Sequence, residues 1–440
     1  MTGQRLMPAD NTLLLLLKGY AWLPGVARRR GAADAGGPLR TRLLGHPVRV
    51  LRGTEAVAFF YDEDHAHRAG ALPGPVLDTL FGRGAVHTLD GAAHRARKEL
   101  FLERLTDLAV VRALTARVCA EFRAEWERRR GERVSLFDLG ALVLARAVTD
   151  WAGLPGDGVP DTERLARDCV AMVDGFATPG PRHLRARRAR ARQEELLGRA
   201  VVRAREEGPA EPPRTAFEAV VAHREADGSP LDPHTAAVEL LNIVRPAVAI
   251  TWFVTFAAHA MRDNPALRRR LAADEPAGLA VSFAHEVRRF YPFVPFVGAL
   301  APDGLVLGGE TVPEGTMLLL DVYGQNHDPE LWDEPFRFVP DRFLGAVPHP
   351  EGLIPQGGGP REGHRCPGED VTVAVLAALA RELAGLDFTL PEQDLRIPLT
   401  RIPTGPHDGF RLEVPDEPEP EAGARAGAGA GAAAGARRRA

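Results

Sequence analysis

The sequence predicts a mainly α-helical protein with a small β region attached to it. Three long segments place apolar residues at helical spacing: Leu105 to Arg130, Thr162 to Val173 and Arg185 to Glu207. A fourth, from Pro233 to Arg262, is apolar on nearly every face, which is typical of a helix buried on all sides. Strand signals are few and short, so helices should form the body of the fold.

The predicted strands are apolar runs with turn residues beside them. Two lie near the N-terminus, at Val48 to Leu51 and at Ala56 to Tyr61. Two more, Leu305 to Leu307 and Met317 to Asp321, flank the turn residues Pro313 to Gly315. These patterns predict a small sheet attached to the helical body.

Composition excludes several classes of protein. The chain has 440 residues, 45% of them apolar, and a net charge of −4. A charge this small gives no general attraction to nucleic acid, and we expect no nucleic-acid partner. The run Leu13 to Leu17 is far shorter than the roughly 20 apolar residues of a membrane span. We interpret it as an amphipathic segment packed on the protein and expect no stable membrane insertion.

The cysteines and the C-terminal segment set the compartment and the domain boundary. The chain has three cysteines, Cys119, Cys169 and Cys366, and no C-x-x-C pattern, which indicates a reduced, cytoplasmic setting. Residues 1–413 are predicted to form one domain. Residues 414–440 are first acidic and proline-rich and then only Ala, Gly and Arg, so they are predicted to be a disordered tail.

The segment from residue 354 to residue 369 carries the strongest chemical signal. Three glycines, Gly357 to Gly359, allow the backbone to pass close to a bulky flat group. Cys366 precedes Pro367, which suits the first position of a helix. The thiol should therefore lie at a helix N-terminus, where the dipole favours a thiolate.

Two cationic residues, His364 and Arg365, place positive charge beside this cysteine, and an apolar helical pattern follows from Val371 to Leu386. An isolated cysteine is more often a buried structural residue. The glycine run, the helix start and the neighbouring cations together favour a metal or cofactor ligand instead.

The apolar helix beginning at Pro233 contains two unexpected residues, Arg245 and Pro246. Proline removes a backbone hydrogen bond and should kink the helix. Arginine places a permanent charge in a buried element and needs a partner, and Glu239 lies on a different face of the helix. The partner is either a distant acidic side chain or the carboxylate of a ligand, and the adjacent kink favours the ligand.

Further along the chain, Glu286 and Arg289 form an E-x-x-R pattern and share one helix face, where they can form an ion pair. The stretch from Phe336 to Phe343 follows, and then the Cys366 segment. This order resembles the cytochrome P-450 superfamily over about residues 8 to 413. The resemblance implies the cytochrome P-450 fold, a structural Glu286–Arg289 pair locked by an arginine of the 336–343 stretch, and haem b whose iron is bound by the Cys366 thiolate.

Two departures from the common pattern of the superfamily resemble its bacterial fatty-acid peroxygenases. The usual Phe near the start of the cysteine loop is replaced by Pro355 or Gln356. The helix from Pro233 lacks the acid–Thr pair that delivers protons in monooxygenases, because Thr251 lies too far along, and it carries Arg245 and Pro246 instead. The resemblance implies that Arg245 binds a fatty-acid carboxylate, which then serves as the acid–base group for hydrogen peroxide.

The resemblance also assigns roles near residues 80–98. It places His87 on the distal side of the haem as a third catalytic residue. The alkyl chain of the substrate would contact Leu80, Phe81 and Phe293. The haem propionates would contact Arg68, His94, Lys98 and His364. Without the resemblance, His94 and Lys98 would be ordinary surface charges.

The implied function is hydrogen-peroxide-dependent oxidation of a long-chain fatty acid at its α or β carbon, by hydroxylation or by decarboxylation to a terminal alkene, without a redox partner. Two alternatives remain open. One is a redox-partner-dependent monooxygenase that acts on another carboxylate. The other is a non-enzymatic protein that binds haem or fatty acid.

Overall fold

The computed structural model describes residues 9–27, 38–156, 161–176 and 178–416. Helices dominate this part of the chain, as predicted. They are α1 (Thr12–Lys18), α2 (Trp22–Ala27), α3 (Thr54–Phe60), α4 (Gly74–Val76), α5 (Gly91–Leu105), α6 (Leu108–Arg128), α7 (Leu136–Trp151), α8 (Thr162–Asp174), α9 (Pro181–Glu207), α10 (Ala216–Ala222), α11 (Pro233–Met261), α12 (Pro265–Ala273), α13 (Leu279–Phe290), α14 (Val322–Gln325) and α15 (Glu369–Gly385).

Helix α11 lies at the centre of the body and packs against α7, α9, α13 and α15. The Asp232 side chain accepts a hydrogen bond from the Thr235 N–H at 3.0 Å and so caps the N-terminus of this helix. The helix continues through Pro246. Its length and hydropathy would suit a membrane span, but 89% of its most apolar window is buried by other parts of the protein.

The strands form small sheets beside the helical body. They are β1 (Leu39–Leu43), β2 (His46–Leu51), β3 (Arg133–Ser135), β4 (Val297–Leu300), β5 (Val306–Leu307), β6 (Glu310–Thr311), β7 (Met317–Leu320) and β8 (Arg411–Glu413). The largest sheet has the order β1-β2-β7-β4, in which only the β2–β7 pair is parallel. Strands β3 and β8 pair with each other, as do β5 and β6.

One strand prediction is wrong. Residues 56–61 were expected to be extended, but most of them belong to α3. Val57 and Phe60 are three residues apart and both buried, which is helical periodicity. A short apolar run does not distinguish a strand from one helical turn, and packing against the sheet decides the outcome.

Several helix ends differ from the sequence patterns. The helix predicted from Leu105 is divided, because α5 ends at Leu105 and Asp107 caps α6 by accepting from the N–H groups of Ala109 and Val110. At the N-terminus, Leu14 and Leu15 of α1 pack against the protein, whereas the other three leucines of the run are exposed. The predicted packing of this segment is therefore correct for one of its faces.

The folded body continues past residue 413. Val414 is buried in the main core, and its backbone pairs with Gly131 and Glu132. Arg130 donates to the Pro415 carbonyl at 3.4 Å. The first residues assigned to the tail therefore pack on the end of α6, and the rest of the predicted tail lies outside the described residues.

Candidate active site

The cysteine loop is held against α3 and leads into α15. The Cys366 N–H donates to the Gln356 carbonyl at 3.2 Å. Gly359 has a φ of +73°, and a Cβ there would lie 2.6 Å from the Cβ of Tyr61, so this position requires glycine. The glycine run thus packs directly on Tyr61. Helix α15 begins at Glu369, so Pro367 lies just before the helix and not at its first position.

The surroundings of Cys366 act on its thiol in opposite directions. Burial raises the pKa of the thiol, whereas the Gly368 N–H and the charge of Lys98 lower it. The Gln356 amide nitrogen lies 3.7 Å from the sulfur and can donate to it. A bound metal ion would deprotonate the thiol outright, so these donors would then face a thiolate.

Buried ion pairs surround this loop on the α13 side. Arg289 donates to Glu286 through two nitrogens, at 2.7 and 2.8 Å, and both side chains are fully buried. Arg342 joins them with its Nε 3.1 Å from Glu286. This arrangement confirms the predicted E-x-x-R pair and the prediction that an arginine of the 336–343 stretch locks it.

A second buried pair was not predicted from the sequence. Arg288, next to the E-x-x-R arginine, forms an ion pair with Glu369 and donates to the Gln356 side chain at 3.0 Å. Arg365 also binds Glu369, at 2.7 Å, so its charge is already paired within the protein. We call Glu286, Arg288, Arg289, Arg342, Arg365 and Glu369 the paired cluster. Within it, every charge has an opposite charge in contact.

Arg245 on α11 has a different environment. Its side chain is buried, one nitrogen donates to the Asn242 side chain at 3.0 Å, and its Nε has no hydrogen-bond partner. Among the described residues, no carboxylate lies within ion-pair distance of it. Glu239, on the same helix, binds Arg97 at 2.7 Å instead. Burial lowers the pKa of Arg245 to about 9, and the charge of Arg190 contributes to the same shift. The described residues therefore provide no acidic side chain as a partner for Arg245, which was the alternative to a ligand carboxylate.

His87 and Phe81 lie beside this arginine. The His87 ring is 4.5 Å from the Phe81 ring, and the Arg245 guanidinium is 5.8 Å from the same ring. Burial, followed by the charge of Arg245, lowers the pKa of His87 to about 3. The imidazole is therefore neutral near pH 7, and its Nδ1 is buried without a partner.

The four residues assigned to the haem propionates also lie together. The rings of His94 and His364 stack with their centroids 3.9 Å apart, and Lys98 donates to the Arg365 carbonyl at 2.5 Å. Arg68 donates to the Gly298 carbonyl at 3.0 Å. Burial lowers the pKa of each of these groups, to about 8 for Lys98 and about 4 for His94. The charges of Arg68 and His94 depress the pKa of His364 further.

Leu80 and Phe293 are partly buried against the main core. The Phe293 ring contacts Phe253 and Trp252 of α11, with centroids 5.0 and 5.9 Å away. Of the three predicted alkyl-chain residues, Phe81 is the one that contacts His87 and faces Arg245. Phe293 lies beside a later part of α11, two turns beyond the arginine.

Other residues of the site were missed. Glu239 accepts from Arg97 and from the Val86 N–H, both at 2.7 Å, and so fixes the segment that leads to His87. A carboxylate within the apolar helix was the available signal, because a buried acid needs partners. Nothing local in the sequence identifies Arg97 as that partner, since 142 residues separate the two.

The residues present fit a haem group. Five side chains of this region have a buried nitrogen without a hydrogen-bond partner: Arg68, His87, His94, Arg245 and His364, which we call the unpaired cluster. Several of them depress one another's pKa values, and the Asp90 carboxylate, 3.6 Å from the His364 Nε2, offsets only part of this positive charge. Two propionate carboxylates would supply that charge near Arg68, His94, Lys98 and His364, and Cys366 would supply an axial thiolate. Arg245 and His87 would remain for a substrate.

Comparisons with known proteins agree with this geometry. Residues 279–402 match the family model described as Cytochrome P450. Vinorine hydroxylase from Rauvolfia serpentina is 37% identical over 26% of this chain, and the matched region spans only a quarter of that relative. Solved structures align over nearly their whole length.

The structure of a variant of cytochrome P450 OleT in complex with arachidonic acid has a TM-score of 0.85 and 34% identity, covering 93% of this chain and 98% of that one. Cytochrome P450EX alpha (CYP152N1) with myristic acid has a TM-score of 0.84 and 36% identity, over 93% and 98% of the two chains. The chain therefore belongs to the cytochrome P450 superfamily, is a haem-thiolate oxidoreductase, and within that superfamily is a member of the bacterial fatty-acid peroxygenases.

Proposed function

We propose that this protein uses hydrogen peroxide to oxidise a long-chain fatty acid next to its carboxylate. The observation that carries the proposal is Arg245, a buried guanidinium with no carboxylate partner among the described residues. Leaving such a charge unpaired costs several kcal/mol, and a bidentate carboxylate is the ligand that best matches its geometry. The related structures that contain arachidonic and myristic acids support a fatty acid as that ligand.

Haem with a thiolate ligand supplies the oxidising chemistry when it is bound, because the thiolate favours O–O cleavage. The protein itself holds the fatty acid. Arg245 binds the carboxylate, which places C2 and C3 closest to the reacting position and the rest of the chain away from it. The product is then an α- or β-hydroxy acid or a terminal alkene.

The substrate carboxylate is also the proposed proton carrier for hydrogen peroxide. Helix α11 offers no alternative near Arg245: Glu239 is engaged by Arg97, and the Thr251 hydroxyl donates to the Phe137 carbonyl at 2.7 Å. A carboxylate held at Arg245 would accept a proton from the peroxide and return it to the departing oxygen. The fatty acid would thus complete the catalytic site, and no redox partner would be required.

His87 is proposed to influence which product forms. With a pKa of about 3 it is neutral at neutral pH, so steric restriction of the substrate is favoured over proton donation. A bound carboxylate would oppose the charge of Arg245 and raise this pKa. His87→Gln should change the ratio of hydroxy acid to alkene, and an unchanged ratio would remove His87 from product control.

The first experiment is to mix the haem-loaded protein with myristic acid and hydrogen peroxide, without reductase, and to identify products by gas chromatography–mass spectrometry. We expect hydroxy acids or a shortened alkene, and loss of both in Arg245→Ala. Product only with ferredoxin and NAD(P)H would indicate a partner-driven monooxygenase. Spectral binding without product under either oxidant would indicate a binding protein. Full peroxide-driven activity in Arg245→Ala would refute the carboxylate role.

A reduced, cytoplasmic location is part of the same proposal. All three cysteines are unpaired, and two of them, Cys119 and Cys169, are buried in the protein. Unpaired thiols persist where the medium is reducing.

A further inference from the structure

Helix α9 contains one arginine that differs from its neighbours. Most arginines of this helix lie on the exposed face, as the sequence predicts for a solvated surface helix. Arg190 is 2% exposed, and its Nε binds Glu194 at 2.6 Å. Its two other nitrogens donate to the backbone carbonyls of Leu80 at 2.6 Å and Phe81 at 2.9 Å. A buried arginine is thus directed at two backbone groups of the proposed substrate-binding segment.

The segment that receives these hydrogen bonds is shaped to fit them. Residues Leu77–Phe81 form a wide π-type turn that closes with the Gly82 N–H donating to the Leu77 carbonyl at 2.8 Å. Gly82 has a φ of +87°, and a Cβ there would lie 2.2 Å from an Arg190 nitrogen and 2.7 Å from Val238. Glycine at residue 82 is therefore needed both for the backbone conformation and for the approach of Arg190.

The same carbonyl joins Arg190 to the proposed carboxylate-binding arginine. The Phe81 carbonyl accepts from Arg190 and also from the Asn242 side-chain nitrogen at 3.0 Å. The oxygen of that side chain accepts from Arg245 at 3.0 Å. A continuous hydrogen-bonded chain therefore runs from α9 through the Phe81 backbone to Arg245.

We propose that Arg190 is a positioning residue that holds the Leu80–Gly82 segment and thereby sets which carbon of the substrate is oxidised. The second part rests on the proposed function. The Phe81 ring forms a wall next to both Arg245 and His87. Adjacent carbons of an alkyl chain are only about 1.5 Å apart, so a small displacement of this wall changes which carbon is presented.

The test compares haem-loaded Arg190→Gln with Arg192→Gln. Arg192 is on the same helix but binds Asp168 of α8 at 2.6 Å. Two quantities are measured: hydrogen exchange of residues 77–84 without substrate, and the ratio of α-hydroxy acid, β-hydroxy acid and alkene from myristic acid. We expect Arg190→Gln to speed exchange and to shift the ratio by about fivefold, the scale of one lost hydrogen bond. Arg192→Gln should leave both unchanged, and Arg190→Lys should restore part of the wild-type ratio.

A ratio distinguishes positioning from general loss of stability, because a partly unfolded enzyme makes less of every product in the same proportion. Gly82→Ala disturbs the contact between Arg190 and the Leu80–Gly82 segment by changing the segment, and it retains the Arg190–Glu194 pair. This variant replaces Arg190→Gln in the test if Arg190→Gln does not fold. Unchanged exchange and an unchanged ratio in folded Arg190→Gln and Gly82→Ala would overturn the inference. If the wild-type protein makes no product, the proposed function fails, and the exchange data still decide whether Arg190 anchors the segment.

Discussion

The paired and the unpaired clusters are both rich in buried charge, but they satisfy it differently. In the paired cluster, Glu286 accepts from Arg289 and Arg342, while Glu369 accepts from Arg288 and Arg365. In the unpaired cluster, the side chains of Arg245 and Arg68 are hydrogen-bonded only to neutral groups, and each has an unpartnered Nε. The difference supports the proposal that the first cluster serves the fold and that the second binds anionic ligands.

This contrast has a physical basis. A buried ion pair can stabilise a fold only if both charges and their hydrogen bonds are satisfied within the protein. A buried charge without a partner destabilises the folded protein, and a ligand of opposite charge offsets that unfavourable free energy when it binds. Buried arginine therefore has a structural role in the paired cluster and a proposed ligand-binding role in the unpaired cluster. The presence or absence of a carboxylate partner distinguishes these two kinds of arginine.

The largest effect is expected in the paired cluster. Glu286→Ala should lower the free energy of unfolding by about 3–5 kcal/mol, because it leaves Arg289 buried without its partner. Urea denaturation of the purified variant measures this. Glu334→Ala, which breaks the exposed pair with Arg337, is the matched control and should change little. Similar small losses in both variants would contradict the structural role of the pair.

The reverse behaviour is expected in the unpaired cluster. Arg245→Leu should not lower the free energy of unfolding without ligand, because it removes a buried charge that has no opposite charge nearby. Fatty-acid affinity, measured by optical titration of the haem-loaded protein, should fall on the order of 100-fold. A large loss of stability in this variant would show that Arg245 belongs with the paired residues.

Buried histidines beside the arginines should make the fold sensitive to acid. Burial lowers the pKa of His259 and of His285 to about 4, from an ordinary value of 6.5. Between these values the unfolded chain binds more protons than the folded protein, so stability should fall as pH drops below 6.5. Each histidine contributes up to about 1.4 kcal/mol per pH unit.

Urea denaturation at a series of pH values from about 7 to about 5 measures this slope. His285→Gln should make it shallower, because the unfolded chain then has one fewer histidine that takes up a proton, whereas folded His285 is kept neutral by burial and by the Arg288 nitrogen 3.0 Å from its Nδ1. Equal slopes in the wild-type protein and the variant would exclude His285 as a source of acid sensitivity.

The smallest effect is expected at Thr251. Its buried hydroxyl donates to the Phe137 carbonyl and so belongs to the packing of α11 on α7. Thr251→Val should cost about 1 kcal/mol of stability and leave peroxide-driven turnover per haem unchanged. A folded variant that loses most of its turnover would assign proton delivery to Thr251 and favour the monooxygenase alternative.

The local sequence was sufficient for the motifs whose chemistry lies within a few residues. The capped helix that begins at Pro233, the E-x-x-R pair and the cysteine ahead of α15 all depend on near neighbours, and the structure confirms the first two. The local sequence did not distinguish a strand from a helix at residues 56–61, because α3 forms by packing against the sheet. Val414, one residue past the predicted domain, was not recognisable as core for a similar reason, since it is buried only because the end of α6 lies beside it.

The sequence by itself determined the helical fold class, the cysteine loop and the presence of a charge in an apolar helix, because periodicity and composition are local properties. Only the tertiary structure decided which charges are satisfied. Arg97 reaches Glu239 over 142 residues, Arg190 reaches Leu80 over 110, and Arg288 reaches Glu369 over 81. Hydrogen bonds and ion pairs act over a few ångströms in space, and the fold alone decides which distant residues come within that range.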